Sequence, residues 1–576
     1  MKVYVRATPA ALLVLVICCA AAAQRTREEP PQRRRQEPGP NDLMGKIAYY
    51  TSQVDGEERP YVICATDESD TPKPAVLVVS PGGTGLQGAQ YLTGQFATTI
   101  RDAGKSAVIL RPTGRGGGSL YMNYGEVDLL EALRDAMSKY AIDPDRISVM
   151  GHSMGGAATW YLTSHYPDLF SAGNPSAGYC DYRLWEKPGG YTFHMQEWEE
   201  PSWIARSAVF VPENFMHTPM WVIHGELDRS IGGGVPVEHS RRMTKLLDMH
   251  GCPYRYTEVP GYGHHFLDKG PEITKNSLLW LIDQKRERSP EHVKLAAYTL
   301  RHNKSYWVTL EQLERYGERG MVDAEFLSPE RLIVRVQNVR TFSLGPASGR
   351  TAVKLNVEGQ EMGDVNLSSK AMFRRGEGGK WEAGDFDLSN EKRHSCSGPI
   401  ADLFFDNTIL VAGASGSEAE ARYNRSVAGH QASRYKERNG GVHRGGIMGD
   451  NIVDLLVVND SELTEEERKG SNLILYGTFE SNSIMKMYEG KLPIEFDGNV
   501  IRVGGRTYAG DKTTIFCVLP HPENPDRYVA VHGGVTDDAI TYGSHIDLGL
   551  LPDYLVYSGG QVLDWGFWGN DWQKQP

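Results

Sequence analysis

The sequence predicts an α/β fold: a mostly parallel sheet with helices on both faces, followed by two smaller modules. Between residues 46 and 286, apolar runs of strand length alternate with amphipathic segments of helix length, which is typical of parallel strands joined by crossover helices. A Gly-x-Ser-x-Gly turn at 151–155 joins one such strand to one such helix. After Pro290, strand-like segments follow one another between clusters of Gly, Asn, Pro and Ser.

Length and composition limit the possible functions. At 576 residues the chain is expected to form two to four domains. With 40% hydrophobic and 23% charged residues it is typical of globular proteins, and its net charge of −12 argues against nucleic acid as a partner. The five cysteines beyond residue 23 are scattered and odd in number, so neither a disulfide framework nor a zinc cluster is expected, although one isolated bridge remains open.

The first 23 residues have the layout of a cleavable signal peptide. Basic Lys2 and Arg6 precede an apolar stretch over 10–22, and small Ala21 and Ala23 stand before Gln24. We therefore expect a secreted or periplasmic protein. Residues 24–41 are rich in Arg, Glu, Gln and Pro and are predicted to be a flexible linker. No other apolar run is long enough to predict a membrane span.

Residues 42–290 are predicted to form the first domain. A hairpin of 46–51 and 59–66, broken at Asp55-Gly56, leads into it. Residues 75–80 are almost wholly apolar, as expected for a strand covered on both faces. Asp143-Pro144 is expected to close the second helix. The predicted strands are 75–80, 106–111, 147–150, 171–177, 220–224 and 254–259, and the predicted helices are 90–103, 126–140, 154 to about 166, 237–250 and 272–286.

Two further modules are predicted after Pro290. Residues 291–395 are expected to form a small antiparallel β module, with strands at 292–299, 305–309, 332–336 and 351–357. Residues 396–576 are expected to form a second α/β module, in which Asn459-Asp460-Ser461 is a helix N-cap signal ahead of 462–468. Its other predicted elements are strands at 408–411, 452–458, 472–475, 513–518 and 528–532 and helices at 417–435 and 483–489.

The turn at 151–155 has the pattern of a nucleophile elbow. Gly151 and Gly155 allow a turn so tight that Ser153 adopts a strained backbone conformation, which exposes its hydroxyl at the carboxyl edge of the sheet. The helix that follows supplies the backbone N–H of Met154 for a developing oxyanion. Gly-x-Ser-x-Gly also occurs by chance in glycine-rich chains, but here strand, turn and helix appear in the order that the motif requires.

A serine nucleophile needs an imidazole and a carboxylate, and the chain offers both in the expected order. Asp228 follows the strand at 220–224, with Glu226 as the alternative acid. His264 follows the strand at 254–259 and the flexible Gly261-Tyr262-Gly263, with His265 as the alternative base. A solvated turn acid and a surface histidine pair are the ordinary interpretations, and the chain order argues against both.

The second oxyanion donor is expected in the glycine loop after the strand at 75–80, at Gly83. This loop lacks the Lys-Ser/Thr ending of a phosphate-binding P-loop, so nucleotide binding is not expected. We expect no cofactor and no metal.

Residues from about 75 to 286 resemble the catalytic domain of the prolyl oligopeptidase family, within the α/β-hydrolase superfamily, and the related polyhydroxybutyrate depolymerase and feruloyl esterase group. The matching motifs lie at 111–116, 140–147, 151–156, 224–228 and 263–266. The resemblance implies Ser153 as nucleophile, Asp228 as acid and His264 as base. The loop departs from the family by reading Ser80-Pro81-Gly82-Gly83 where relatives often carry His-Gly-Gly. Prolyl oligopeptidases usually carry a β-propeller before this domain, and only a short segment stands there here.

The sequence predicts an exported serine hydrolase of a small-molecule or oligomeric substrate, with a carbohydrate or phenolic ester slightly preferred to a peptide because the propeller is missing. A non-catalytic binding protein on a hydrolase scaffold is the alternative from another class. An aromatic insertion at 178–203, which includes Tyr179 and Trp185, is expected to overhang the site, where it could bind substrate or simply pack. Arg111 could hold a substrate carboxylate, as could Arg115, although most loop arginines do not.

Overall fold

The computed structural model describes residues 41–67, 75–82, 86–115, 120–184, 186–187, 191–192, 195–229, 234–266, 271–347, 349–440, 454–536 and 538–575. The predicted signal peptide lies outside the described residues, as does the predicted linker except for Asn41. From Leu43 onward the chain forms one compact unit. No helix among the described residues is both long and apolar enough to span a membrane.

The first part of the chain forms an eight-stranded sheet with helices on both faces. Its strands are β1 (Lys46–Thr51), β2 (Glu58–Ala65), β3 (Ala75–Val79), β4 (Val108–Pro112), β5 (Ile142–His152), β6 (Ala172–Ser176), β9 (Met220–Gly225) and β10 (Tyr254–Val259), and β7 (Glu186–Lys187) pairs with β8 (Tyr191–Thr192) outside it. Its helices are α1 (Leu86–Asp102), α2 (Tyr124–Lys139), α3 (Met154–His165), α4 (Glu200–Arg206), α5 (Glu238–Met249) and α6 (Pro271–Ile282).

The strand order is β1-β2-β4-β3-β5-β6-β9-β10, in which the six strands from β4 to β10 are parallel and β2 is antiparallel to both of its neighbours. The sheet confirms the predicted α/β-hydrolase fold class. Alternate residues of its central strands enter separate apolar cores because side chains alternate between faces. One core contains Leu77, Val79, Leu110, Leu129 and Leu162, and the other contains Val78, Ile109, Ala97, Ile100 and Leu278.

Several predicted boundaries in this part differ from the structure: α1 begins at Leu86 rather than at 90, and α6 ends at Ile282 rather than at 286. Asp143-Pro144 was expected to close a helix, but α2 already ends at Lys139 and both residues lie in β5. The strand is longer than its apolar segment because its first, polar residues lie at the amino end of the sheet. There Asp145 forms ion pairs with Arg286 and Arg288.

The second part forms two five-stranded sheets that share one apolar core. The sheets have the orders β11-β14-β15-β17-β18 and β12-β13-β16-β19-β20, and only β15 and β17 pair in parallel. The predicted strand at 305–309 is wrong because Tyr306 adopts a positive φ of 52°, which turns the chain between two strands. The strands are β11 (His292–Ala297), β12 (Lys304–Ser305), β13 (Val308–Leu313), β14 (Gly320–Ser328), β15 (Arg331–Gln337), β16 (Val339–Leu344), β17 (Val353–Val357), β18 (Gln360–Val365), β19 (Ala371–Arg375) and β20 (Trp381–Ala383).

The third part contains a seven-stranded mixed sheet, of order β22-β21-β23-β28-β27-β29-β30, and a small sheet of β24, β25 and β26. Its strands are β21 (Thr408–Ala412), β22 (Leu456–Asn459), β23 (Asn472–Tyr476), β24 (Ile494–Asp497), β25 (Val500–Val503), β26 (Arg506–Ala509), β27 (Thr513–His521), β28 (Asn524–Gly534), β29 (Tyr554–Ser558) and β30 (Gln561–Gly566), and its helices are α7 (Glu418–Gly440), α8 (Glu465–Gly470) and α9 (Ser483–Met487).

The predicted helix start at 459–461 is wrong. Thr464 caps α8 in a capping box with Glu467, because its side chain accepts from the N–H of Glu467. The carboxylate of Asp460 instead accepts from the N–H groups of Ala414 and Ser483, and so ties together two neighbouring loops. Cys64, Cys180, Cys252, Cys396 and Cys517 are all buried and free, so the isolated disulfide that the sequence left open is not formed.

The third part of the chain packs against the first beside the aromatic insertion. Tyr124 donates a hydrogen bond from its hydroxyl to the carbonyl of Asp406, at 3.1 Å, and its ring meets that of Tyr435 edge-on. Ser202 and Arg206, on α4, donate to the carbonyl oxygens at positions 550 and 549. The insertion is therefore held from outside the eight-stranded sheet as well as from within it.

Glu126 joins the first part of the chain to the second, through His302 between β11 and β12. The buried carboxylate accepts from the hydroxyls of Tyr161 and Tyr166, and Oε1 lies 2.8 Å from Nε2 of His302. Burial raises the pKa of Glu126, but the charge and hydrogen bonds of these partners outweigh it and hold that pKa at about 2. The ionised carboxylate is thus a buried anchor between two parts of the chain.

Replacing Glu126 with glutamine is expected to lower the free energy of unfolding at pH 7 by about 3 kcal/mol, because a buried charged partner is lost. Because the pKa is depressed in the folded state, this difference should be complete above about pH 4.5 and should shrink as the pH falls towards 2. Urea denaturation across this range measures it. The control is Glu291→Gln, which removes an exposed ion pair with Arg350 and should change stability by less than about 0.5 kcal/mol. Equal effects of the two variants would contradict the role given to Glu126.

Candidate active site

Ser153 occupies the sharp turn between β5 and α3. Its φ of 58° and ψ of −114° form a conformation that costs a residue with a side chain on the order of 1–3 kcal/mol. Two hydrogen bonds hold the turn, from the N–H of Ser153 to the carbonyl of Ser176 at 2.8 Å and from Ala157 to the carbonyl of Ser153 at 2.9 Å. The predicted strand, turn and helix are therefore all present, and they project the serine from the carboxyl edge of the sheet.

The two motif glycines are required by close backbone contacts. A Cβ at Gly151 would lie 2.4 Å from the carbonyl carbon of Gly155, and a Cβ at Gly155 would lie 2.2 Å from the carbonyl oxygen of Pro81. The turn can close only without these side chains. Gly155 also allows the loop after β3 to rest against the first turn of α3.

Ser153, His264 and Asp228 form a continuous hydrogen-bonded chain. Nε2 of His264 lies 2.8 Å from the Ser153 Oγ, and Nδ1 lies 2.7 Å from the Asp228 Oδ2. An ionised carboxylate can only accept, so Nδ1 carries the proton and Nε2 is free to accept from the serine hydroxyl. This arrangement can move a proton from the serine to the imidazole.

Asp228 has two further donors that sequence reasoning missed. Nε2 of His224, which is fully buried, lies 3.1 Å from Oδ2 and 3.0 Å from the carbonyl oxygen of Val235. The N–H of Val235 donates to Oδ1 at 3.0 Å. Since both neighbours of this Nε2 are acceptors, it carries the proton, and Nδ1 accepts from the hydroxyl of Ser240 at 2.7 Å. The position of His224 at the end of β9, four residues before the acid, is the signal that could have revealed it.

The hydrogen bonds keep Asp228 ionised. Burial raises its pKa, but the donors on His224 and His264 outweigh burial and hold that pKa below its usual value. The carboxylate, only 1% exposed, is therefore negative at neutral pH and can stabilise a positive charge on His264.

The alternative acid and base take other positions. Glu226 is exposed and accepts from the N–H of Gly261 at 2.8 Å, so it holds the histidine loop from outside. His265 is also exposed, with its ring centroid 5.5 Å from that of His264. Neither residue belongs to the hydrogen-bonded chain of Ser153.

His152 lies beside the imidazole of the chain, with ring centroids 4.9 Å apart. Burial, and then the charge on His264, lower the pKa of His152 to about 3. It is therefore neutral at pH 7 and forms an uncharged wall against His264. Phe266 meets the ring of His152 edge-on at 5.5 Å and encloses it further.

Of the two predicted oxyanion donors, Met154 lies among the residues that the structure describes. Met154 is the first residue of α3, where a backbone N–H has no acceptor within the helix. Gly83 lies outside the described residues. The preceding Gly82 donates its N–H to the hydroxyl of Tyr121 at 2.8 Å, and the single proton of that hydroxyl is shared between the carbonyl oxygens of Gly82 at 3.0 Å and Pro112 at 3.1 Å. Tyr121 thus fixes the start of the glycine loop.

The predicted substrate residues have different surroundings. Tyr179 is 8% exposed, and its ring meets His239 edge-on while its hydroxyl donates to the carbonyl of Gly234 at 3.4 Å. It therefore packs behind the Asp228 loop. Trp185 lies outside the described residues. Arg111 is buried at the end of β4, and Nη1 donates to the Ser80 Oγ at 3.2 Å.

A comparison with protein families finds one match. Residues 118–284 match the model described as the prolyl oligopeptidase family. The match confirms the resemblance predicted from the motifs and supports a serine hydrolase. It covers the segment that contains Ser153, Asp228 and His264.

Curated relatives match a similar length of chain. A protein of Arthroderma benhamiae named "Uncharacterized secreted protein" is 37% identical over 134 residues, which are 22% of this chain and 13% of that protein. A protein of Oryza sativa subsp. japonica named "Probable glutamyl endopeptidase, chloroplastic" is 29% identical over 136 residues, 23% of this chain and 14% of that protein. The match spans only about one seventh of the length of these relatives.

Solved structures also resemble this chain. A thermostable esterase has a TM-score of 0.33 at 23% identity, over 42% of this chain and 63% of that chain. An acylaminoacyl peptidase of Pyrococcus horikoshii has a TM-score of 0.34 at 16% identity, over 43% of each chain.

The close contact between Gly155 and Pro81 leaves no room for a side chain at position 155. Gly155→Ala should lower the free energy of unfolding by about 1–3 kcal/mol, because the new methyl group must push the loop away from α3. The matched control is Gly429→Ala in α7, where a Cβ meets nothing within 4 Å and should add about 0.5–1 kcal/mol of stability. Thermal unfolding of both variants measures the difference. A stability gain in Gly155→Ala would show that the loop does not rest on the helix.

Proposed function

We propose that this protein is a serine hydrolase that cleaves esters through an acyl-enzyme formed on Ser153. The observation that carries the proposal is the pair of short contacts at His264, 2.8 Å to the Ser153 hydroxyl and 2.7 Å to the Asp228 carboxylate. A serine hydroxyl is a weak nucleophile until a neutral imidazole accepts its proton, and this geometry supplies that acceptor.

The proposed reaction has two halves. Oγ of Ser153 attacks the ester carbonyl while His264 accepts its proton, and Asp228 stabilises the imidazolium. The N–H of Met154, with that of Gly83 as second donor, binds the oxyanion. His264 then returns the proton to the leaving alcohol, and a water molecule attacks the acyl-enzyme by the same route to release the acid and restore Ser153.

Esters are the first class proposed because an alcohol leaves a tetrahedral intermediate more readily than an amine, so ester cleavage demands less acid catalysis from His264. Peptide cleavage is the second candidate. It is favoured by the match of residues 118–284 to the prolyl oligopeptidase family and by the rice relative that is named as an endopeptidase.

We also propose that the protein is exported and built from three domains. Export is supported by the signal-like residues 1–23 and by the name of the Arthroderma relative. The proposed domains are 42–290, 291–395 and 396–576. Each of them contains at least one sheet of its own.

A fluorophosphonate probe tests the nucleophile and its partners together. Wild type should be labelled on Ser153, and Ser153→Ala should lose the label. His264→Ala and Asp228→Asn should slow labelling by about 10³-fold or more, since each interrupts the proton path. The adjacent controls His265→Ala and Glu226→Gln should label within a few-fold of wild type. A folded wild type that takes no label would favour the non-catalytic binding protein. Loss of labelling in His265→Ala would show that His265, and not His264, is the base.

The bond that is cleaved can be tested with matched chromogenic substrates. A p-nitrophenyl ester and the p-nitroanilide of the same acyl group should differ strongly in kcat/KM, with the ester faster because phenolate leaves without protonation. The informative comparison adds an alkyl ester, whose poor leaving group removes that advantage. Anilide turnover equal to or above that of the alkyl ester would show that the protein is a peptidase rather than an esterase.

A further inference from the structure

Arg111 is a buried cation that has no counter-charge in the described part of the chain. The residue is 8% exposed, and among the residues that the structure describes no carboxylate forms an ion pair with its guanidinium. Its hydrogen-bond partner is the neutral Ser80 Oγ, while its buried Nε has no partner. Burying an unpaired charge costs several kcal/mol, so such a group needs an explanation beyond packing.

Arg115, in the loop four residues after Arg111, shows how this fold neutralises an arginine. Its guanidinium contacts the carboxylates of Asp55 and Asp128, and it donates to the hydroxyl of Ser52 at 2.6 Å. Arg301, another largely buried arginine, pairs with Asp402 at 2.8 Å. Arg115 therefore stabilises the loop through its carboxylate partners, whereas Arg111 forms no ion pair with any residue that the structure describes.

The sequence around Arg111 brings no acid to neutralise it. Residues 83–85, which follow Gly82 in the sequence, are Gly-Thr-Gly, and residues 116–119 are Gly-Gly-Gly-Ser. Both segments have small or absent side chains. Neither these neighbours in the sequence nor the residues that the structure describes supply a carboxylate to Arg111, so its charge is available to a group from outside the chain.

The guanidinium lies against the loop that faces the nucleophile. A Cβ at Gly82 would lie 2.1 Å from Nη2 of Arg111, and the preceding Pro81 rests on the first turn of the Ser153 helix at Gly155. β4 and β5 are separated only by β3, and Leu110 and Val149 lie level with each other because both pair with Val79. Arg111 is one residue beyond Leu110 and Ser153 is four residues beyond Val149, so their Cα atoms are roughly 14 Å apart. An arginine side chain and a short acyl chain together cover that distance.

The strand order also decides which half of the substrate reaches Arg111. Asp228 and His264 follow β9 and β10, on one side of β5, whereas Arg111 lies on the other side, beyond β3. The leaving group must be next to His264, which protonates it. The acyl half therefore extends towards the side of Arg111.

We propose that Arg111 binds a carboxylate on the acyl half of the substrate, so that the preferred substrates are esters or peptides of short dicarboxylic acyl groups. A guanidinium suits this role because its planar donors match the two oxygens of a carboxylate. The inference rests on the proposed function, since it names the substrate class of the Ser153 site.

The test compares mono-p-nitrophenyl glutarate with p-nitrophenyl valerate, two esters of nearly equal length that differ in a terminal carboxylate. The wild type should have a kcat/KM about 10- to 100-fold higher for the glutarate, the value of a charge-assisted hydrogen bond. Arg111→Met should reduce this ratio to about one, and Arg111→Lys should retain part of it. The exposed Arg134→Met, on α2, is the matched control and should keep the ratio of the wild type.

The ratio of kcat/KM for the glutarate to kcat/KM for the valerate tests the role of Arg111 separately from the serine hydrolase proposal. It does not depend on the fraction of the protein that is folded. Hydrolysis of both esters with no preference in the wild type, or an unchanged ratio in Arg111→Met, would overturn the inference while leaving the serine hydrolase proposal intact. If the folded wild type hydrolyses neither ester and takes no fluorophosphonate label, the proposed function fails and the inference fails with it. A glutarate preference that depends on Arg111 supports both.

Discussion

The carboxylate of Asp228 is the group on which the geometry of the site depends. It accepts from two histidines and one backbone N–H, at distances from 2.7 to 3.1 Å. A buried carboxylate is stable only when its lone pairs are occupied in this way. The same contacts that keep it ionised also fix the ring of His264, and that ring fixes the direction in which the serine proton can move.

The loops that carry these groups converge because the backbones can approach one another closely. The N–H of Leu227 donates to the carbonyl of Tyr262 at 2.8 Å, and a Cβ at Gly225 would lie 2.3 Å from the carbonyl oxygen of Gly263. On the other side of Ser153, the carbonyl oxygen of Pro81 lies just as close to Gly155, 2.2 Å from the position that a Cβ would take. The acid, base and oxyanion loops are thus held by direct backbone contact, and the positions of their glycines follow from that contact.

The sequence predicts the parts of the site that depend on local pattern and on strand order. Ser153 belongs to a short motif, and Asp228 and His264 follow from the order of strands in a parallel sheet. For His224 the sequence offers only its position four residues before the acid, because its role also depends on a hydrogen bond made after the chain has folded back at Val235. The start of α8 was misplaced for a related reason. Asp460 has the side chain of an N-cap, but two other loops use that carboxylate, and Thr464 caps the helix instead.

The second half of the chain bears on the site through the aromatic insertion. Segment 178–203 follows β6, the strand next to β5, and continues into α4, which donates hydrogen bonds to carbonyl oxygens at 549 and 550. Within the insertion, the ring of Tyr182 lies 6.2 Å from that of Trp203, with the ring planes tilted by 32°. Trp203 also packs against the apolar core of the third part. Movement of the insertion relative to Ser153 must therefore break contacts with residues near 550. Residues near 550 thereby help to hold a segment that begins beside the nucleophile, although more than three hundred positions separate the two in the sequence.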